Sequence, residues 1–166
     1  MIRKPALVTP EMDLSNFSSG KPTLDDWLKN YALQAKQSQT ANTFVVQDDN
    51  GQVAGYYSLA MGSIDRMEGT ERIRKGTGKH PIPVVVLARL AVDEQFQGRG
   101  IGKGMLRDAV IRSAKISEEI AFRAIINHPL DAAAKEFYLK FGFKPSPVSE
   151  GQLMILMKDA RKALRI

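Results

Sequence analysis

Residues 87–102, Leu-Ala-Arg-Leu-Ala-Val-Asp-Glu-Gln-Phe-Gln-Gly-Arg-Gly-Ile-Gly, constrain this chain more than any other stretch. They predict a buried strand, a glycine-rich turn and the first turn of a helix. Backbone N–H groups at a helix start have no partner within the helix and carry partial positive charge, so they hold phosphate without cationic side chains. Glycines at 98, 100 and 102 remove the Cβ atoms that would keep a ligand from that backbone. The segment is therefore suited to seating an anionic pyrophosphate.

Two common phosphate loops do not fit it. A dinucleotide fingerprint, G-x-G-x-x-G, meets Lys103 in its last position when begun at Gly98, and Met105 when begun at Gly100. A P-loop ending at Gly102-Lys103 requires glycine where Gln97 stands and Ser or Thr where Gly104 stands. What remains is Gln97-x-x-Gly100-x-Gly102. Upstream, Pro83 to Asp93 is a near-continuous apolar run, as expected of a strand covered on both faces. Downstream, Ile101, Met105, Ala109 and Val110 recur at helical spacing, with Lys103, Arg107, Asp108 and Arg112 largely on the other face. Ala121 to Ile126 predicts a second buried strand ending at Asn127. Leu130, Ala133, Ala134, Phe137 and Phe141 then form one stripe of a helix closed by Gly142.

This order carries a resemblance. The Gln97-x-x-Gly100-x-Gly102 turn and Glu136-Phe-Tyr-Leu-Lys-Phe-Gly-Phe143 resemble the two signatures of the GCN5-related N-acetyltransferases (GNATs). The resemblance implies one α+β domain over residues 1–166. In it a central mixed, mostly antiparallel sheet is splayed at an acetyl-CoA site and flanked by helices.

The N-terminal half supplies the remaining elements. Thr23 is predicted as an N-cap, with Asp25 and Asp26 in the first turn and an apolar stripe of Leu24, Trp27, Leu28, Tyr31, Ala32 and Ala35. Thr43 to Gln47 and Val53 to Ala60, joined by a turn at Asp48 to Gly51, predict a β-hairpin. Residues 61–82 have little apolar periodicity and glycines at 62, 69, 76 and 78, which predicts a long binding or lid loop.

Composition bounds the chemistry. At 166 residues and 43% hydrophobic, the chain is long enough for a sizeable core. It has no cysteine, which excludes disulfides, thiolate metal sites and a cysteine nucleophile. His80 and His128 alone do not make a metal site, so no metal is expected. No apolar stretch approaches the roughly 20 residues of a membrane span, and no signal-peptide core follows Met1, so the expectation is a soluble cytoplasmic protein. A net charge of +6 suits an acidic partner. Arg66, Arg72, Arg74, Lys75 and Lys79 concentrate in the 61–82 segment, and the tail from Lys158 to Arg165 is basic as well.

Two residues admit alternative readings. Arg89 shares a strand face with Leu87, Ala91 and Asp93, and a buried guanidinium there must pair with a carboxylate, open onto a cleft or bind an anionic substrate. Ser58 is either a substrate contact or a surface hydroxyl.

Residues 17–28, 53–60 and 83–93 and the Tyr138 helix also resemble the TacT/AtaT-type toxin acetyltransferases of bacterial toxin–antitoxin pairs. That resemblance implies acetylation of the α-amino group of aminoacyl-tRNA, which blocks translation. It further implies a homodimer neutralised by a ribbon–helix–helix antitoxin, through which alone operator DNA is met. Tyr138 is then the catalytic acid toward the departing thiolate. The donor is held by Leu90, Ala91, Val92, Gln97, Gly98, Arg99, Gly100, Ile101, Gly102, Lys103 and Asn127. Arg89, Ser58, Arg72, Arg74 and Lys75 face the acceptor. No Asp or Glu stands out as a base, and an α-amine with a pKa near 8 does not need a strong one. Acetylation of a small amine or protein N-terminus, and a DNA-associated co-repressor role, stay open as other readings.

Overall fold

Why the strand, turn and helix around residues 87–102 can form is clear from what flanks them. The computed structural model describes all residues from 1 to 166. The strands are β1 (Ala6–Leu7), β2 (Asn42–Gln47), β3 (Val53–Ile64), β4 (Ile82–Val92), β5 (Ala124–Asn127), β6 (Lys144–Pro145) and β7 (Leu153–Leu156). The helices are α1 (Pro22–Asn30), α2 (Ala32–Gln37), α3 (Glu71–Arg74), α4 (Ile101–Ile116), α5 (Ala132–Phe141) and α6 (Met157–Leu164), with short 3₁₀ turns at Arg66–Glu68 and Glu94–Phe96. The sheet order is β1-β2-β3-β4-β5-β7-β6. β4 and β5 pair parallel, whereas β1/β2, β2/β3, β5/β7 and β6/β7 are antiparallel, so the mixed, mostly antiparallel α+β class is as the sequence predicts. Pairing of β4 with β5 runs only from Val84↔Ala124 to Val86↔Ile126, which leaves the rest of β4 without a β5 partner.

The chain forms two compact units, Met1–Ala60 with Ala88–Ala109, and Met61–Leu87 with Val110–Ile166. In the first, Val8, Leu14, Phe17, Leu28, Ala32, Val45, Val53, Tyr56 and Ala91 make one apolar cluster. The β2–β3 hairpin turns at Gly51, whose φ of +82° suits glycine, while the Asp48 carboxylate accepts from the N–H groups of Asn50 and Gln52. Thr23 does not cap α1. Lys21 holds the cap position and Pro22 occupies the first helical residue, where its missing N–H costs nothing. Asp25 instead accepts from both the N–H and the hydroxyl of Ser19.

Gly55 is needed for space rather than for its φ. A Cβ there would lie 2.9 Å from the Ala91 carbonyl oxygen and 3.1 Å from the Met105 sulfur. Gly55→Ala is expected to destabilise the fold by about 1–3 kcal/mol through overpacking, read as a lowered Tm.

The second unit packs Ile64, Ile73, Ile82, Val84, Ala124, Ile126, Met154 and Leu156 together. Here the expected 61–82 loop is corrected. Residues 61–64 continue β3, Ile82 begins β4, and the segment between them is capped twice. Asp65 and Glu68 form a reciprocal capping box, and the Thr70 hydroxyl accepts from the Ile73 N–H at the start of α3. The end of α3 is held as firmly, since Arg123 donates to the carbonyls of Ile73 (3.0 Å) and Lys75 (2.8 Å). Glycine content concealed this order, because one buried apolar residue, Ile73, anchors the segment and no periodicity announces it.

Arg72 ties α3 to α6 through two 2.6 Å hydrogen bonds to Asp159. Those bonds hold the Asp159 carboxyl below its ordinary value. A depressed carboxylate pKa contributes stability above about pH 4, its unfolded range, and loses it as the pH falls through the lower folded-state value. Arg72→Ala should therefore lower Tm at neutral pH, with the difference from wild type closing on acidification below the ordinary carboxylate range.

Two predicted elements start later than expected. β5 begins at Ala124 rather than Ala121. α5 begins at Ala132 because Asp131 caps it, accepting from the Ala134 N–H at 2.9 Å; Leu130 lies outside and is 55% exposed. The buried residue of α5 is Tyr138, and the predicted stripe of Ala133, Phe137 and Phe141 lies beside it in half-buried or exposed positions.

Candidate active site

The glycine turn is built by its neighbours in the first unit. Asp93, 4% exposed, ends β4 by accepting from the N–H groups of Gln95 (2.9 Å) and Ser18 (3.0 Å). Gln97 then donates its side-chain amide to the carbonyls of Val92 (3.0 Å) and Ser19 (3.2 Å). Its side chain braces the turn rather than reaching outward. Gly98 and Gly100 both have φ of +79°, the left-handed region, with nothing within 4 Å of where a Cβ would stand. Gly102, by contrast, lies inside α4. The Gly104 N–H bonds the Gly100 carbonyl, so the N–H groups of Ile101, Gly102 and Lys103 precede the helix's own ladder. Alternating left-handed glycines at a helix start form a concave, electropositive backbone surface suited to phosphate. Arg99 is exposed, its guanidinium 5.1 Å from the Phe96 ring, and Lys103 is exposed too. Leu90 and Val92 are half-buried and Ala91 is buried.

Arg89 and Ser58 belong to the same unit and have different fates. Ser58 is fully buried, its hydroxyl 2.8 Å from Thr43 Oγ1 in the directly opposite strand position. The surface reading of Ser58 is thereby corrected; its hydroxyl is taken up in a cross-strand hydrogen bond. Arg89 has no carboxylate partner. Its guanidinium lies 4.0 Å from the centre of the Trp27 ring, which in turn stacks on Tyr56 at 6.2 Å. The Tyr56 hydroxyl donates to the Leu24 carbonyl at 2.6 Å, fixing the stack to α1. Burial holds the Arg89 pKa below its ordinary value, and burial pushes the Tyr56 phenol well above its own. Periodicity alone puts Trp27 in an apolar stripe, and its being the chain's one tryptophan is the sequence signal of a stacking platform. Asp108, expected on a solvated face, is half-buried and accepts a short hydrogen bond from Tyr57.

The second unit holds Tyr138 and Asn127. Tyr138 is 4% exposed, with ring contacts to Phe137 at 5.1 Å and Phe143 at 5.3 Å. Burial raises its phenol pKa, and a hydrogen bond from Asn127 opposes part of that rise. Asn127 is 3% exposed, and its buried Oδ1 has no hydrogen-bond partner. Among the basic residues, Arg72 is engaged by Asp159, whereas the Arg74 and Lys75 side chains are not in ion pairs. No group of three or more His, Asp or Glu side chains is gathered to hold a metal ion, and no helix is long and apolar enough to cross a membrane.

Residues 39–145 match the acetyltransferase (GNAT) domain family. The chain belongs to the GNAT acetyltransferases. Within the family it is similar to toxins. It is 42% identical over 157 residues to a tRNA-acetylating toxin of Mycobacterium tuberculosis, covering 95% of this chain and 93% of that one. Among solved structures, AtaT complexed with acetyl-methionyl-tRNAfMet superposes with a TM-score of 0.89 at 22% identity, covering 99% of both chains. A tyrosine-to-phenylalanine mutant of AtaT, bound to the C-terminus of the antitoxin AtaR and acetyl-CoA, gives 0.82 at 21% identity, covering 100% of this acetyltransferase and 99% of that chain.

Proposed function

We propose that this acetyltransferase moves the acetyl group of acetyl-CoA to the α-amino group of an amino acid esterified to tRNA, and that it is thereby a toxin that blocks translation. The observation that carries this reading is the 42% identity, over nearly the whole of both chains, to a tRNA-acetylating toxin. The fold shared with AtaT, which was captured with acetylated methionyl-tRNA, supports it. In the same reading the 166 residues act as one cytoplasmic domain and pair as a homodimer. A ribbon–helix–helix antitoxin neutralises them and carries any contact with operator DNA. AtaT bound to the C-terminus of AtaR supports an antitoxin partner of some kind.

The chemistry follows from the groups present. Acetyl-CoA supplies an activated thioester, and its pyrophosphate suits the backbone of Gly98 to Lys103. The neutral α-amine attacks the thioester carbon, and the carbonyl oxygen gains charge that backbone N–H groups of β4 around Leu90 and Val92 stabilise. Tyr138 donates its proton to the departing thiolate as the C–S bond breaks. The proton released by the acylated nitrogen restores the phenol, so the net products are the amide and the free thiol. Asn127 favours the ionised form of the Tyr138 phenol and so steadies the transient phenolate.

The test is incubation with labelled acetyl-CoA and total charged tRNA, followed by identification of the acetylated amino acid. Label on an aminoacyl ester is expected; label only on free amines or protein N-termini would overturn the proposal. Arg74→Glu with Lys75→Glu should weaken tRNA binding and flatten its salt dependence by about 0.7–0.9 per lost phosphate contact. Arg72→Glu should act mainly on stability, because Arg72 is engaged by Asp159.

A further inference from the structure

Arg89 combines three properties that do not normally coexist in a structural arginine. It is half-buried, it lies on a strand, and none of its guanidinium donors meets a carboxylate. A desolvated charge without a counter-ion is costly, and a fold that keeps one normally completes it with an anion. The Trp27 ring, its centre 4.0 Å from the guanidinium carbon, covers one side of the Arg89 head group and restrains it. Trp27 is itself backed by Tyr56, which the Leu24 carbonyl fixes in place. The fork of N–H groups is thus oriented before any ligand arrives, as two-point recognition of a phosphate requires.

We infer that Arg89, presented on Trp27, binds a backbone phosphate of the acceptor RNA near its aminoacylated end. The inference rests on the proposed acceptor. Esterification to the ribose consumes the carboxylate of the amino acid, so phosphodiesters are the anions such an acceptor has to offer. Acetyl-CoA carries phosphates as well, and the experiment separates the two sources.

Arg89→Met, Arg89→Lys and Trp27→Leu are compared with wild type using three titrations: charged tRNA, an aminoacyl-adenosine that has no phosphodiester, and acetyl-CoA. Arg89→Met should raise KM for charged tRNA by about 10- to 100-fold. It should also make the dependence of log KM on log salt shallower by about 0.7, one single-strand phosphate. The same variant should leave kcat/KM for aminoacyl-adenosine within about twofold of wild type, because that acceptor offers Arg89 no phosphodiester. Arg89→Lys should recover the salt dependence but only part of the affinity, because the fork and the stack are lost. Trp27→Leu should move KM for tRNA in the same direction as Arg89→Met. Equal losses on both acceptors, or a loss confined to acetyl-CoA binding, would overturn the assignment of Arg89 alone. Failure of the wild-type protein to acetylate either acceptor would overturn the tRNA reading and this inference together.

Discussion

Tyr138→Phe is expected to lower the rate of acetyl transfer by about 10²–10⁴-fold, the usual worth of a positioned acid, while acetyl-CoA still binds. The substitution keeps the ring that packs against Phe137 and Phe143 and removes only the hydroxyl. It also removes a buried hydroxyl that interacts with Asn127, and a buried hydrogen bond is worth about 0.5–1.5 kcal/mol. A modest fall in Tm should therefore accompany the kinetic loss. Single-turnover acetyl transfer and direct donor binding, measured on one preparation, separate the two effects. A rate within tenfold of wild type would remove Tyr138 from the chemistry. The pH profile gives a second reading. Burial favours the neutral phenol and raises its pKa above the ordinary value near 10, so the proton stays on Tyr138 through the physiological range. Meanwhile the α-amine of the acceptor loses its proton near pH 8. Activity should rise through about pH 8 and hold level to about pH 10; a decline well below 10 would speak against a protonated Tyr138 as the acid.

How far such a site is legible in sequence depends on which forces make it. The glycine turn was legible because backbone geometry writes itself directly into residue type: Gly98 and Gly100 have the positive φ that other residues resist. The strands of the hairpin and β4 were legible because burial imposes periodicity. Residues 61–82 were not, because their order comes from side chains of Asp65, Thr70 and Arg123 bonding to backbone, with Arg123 distant in sequence. Ser58 and Arg89 show the same limit. Strand alternation fixes the face of each side chain, but only the opposite strand tells that Ser58 meets Thr43, and only α1 tells that Arg89 meets Trp27. Tyr138 was found through its motif. Its burial is not legible in the same way, because the apolar stripe of α5 runs along neighbouring positions and Asp131 caps the helix only after Leu130.

The second large effect is expected from Gly98→Ala combined with Gly100→Ala, which should weaken acetyl-CoA binding by about 10- to 1,000-fold. Four glycines of this chain separate the possible causes. At Gly55 the backbone is ordinary and space is lacking, so a methyl group strains the packing of the first unit. At Gly104, inside α4, nothing lies within 4 Å of the added Cβ, and Gly104→Ala should stabilise the helix by up to about 1 kcal/mol. At Gly98 and Gly100 space is equally open, but each φ is +79°. An alanine held there costs roughly 1–2 kcal/mol, and the two together correspond to the loss stated, at 1.4 kcal/mol per tenfold. Because the turn is exposed, it can relieve that strain by leaving the left-handed region without disturbing the core. The fold should therefore survive, with Tm lowered little, while the N–H groups of Ile101, Gly102 and Lys103 lose their common orientation. Isothermal titration of acetyl-CoA alongside thermal denaturation makes the comparison. Donor binding equal to wild type in the double variant, with Gly104→Ala as the control, would place the pyrophosphate somewhere other than this turn.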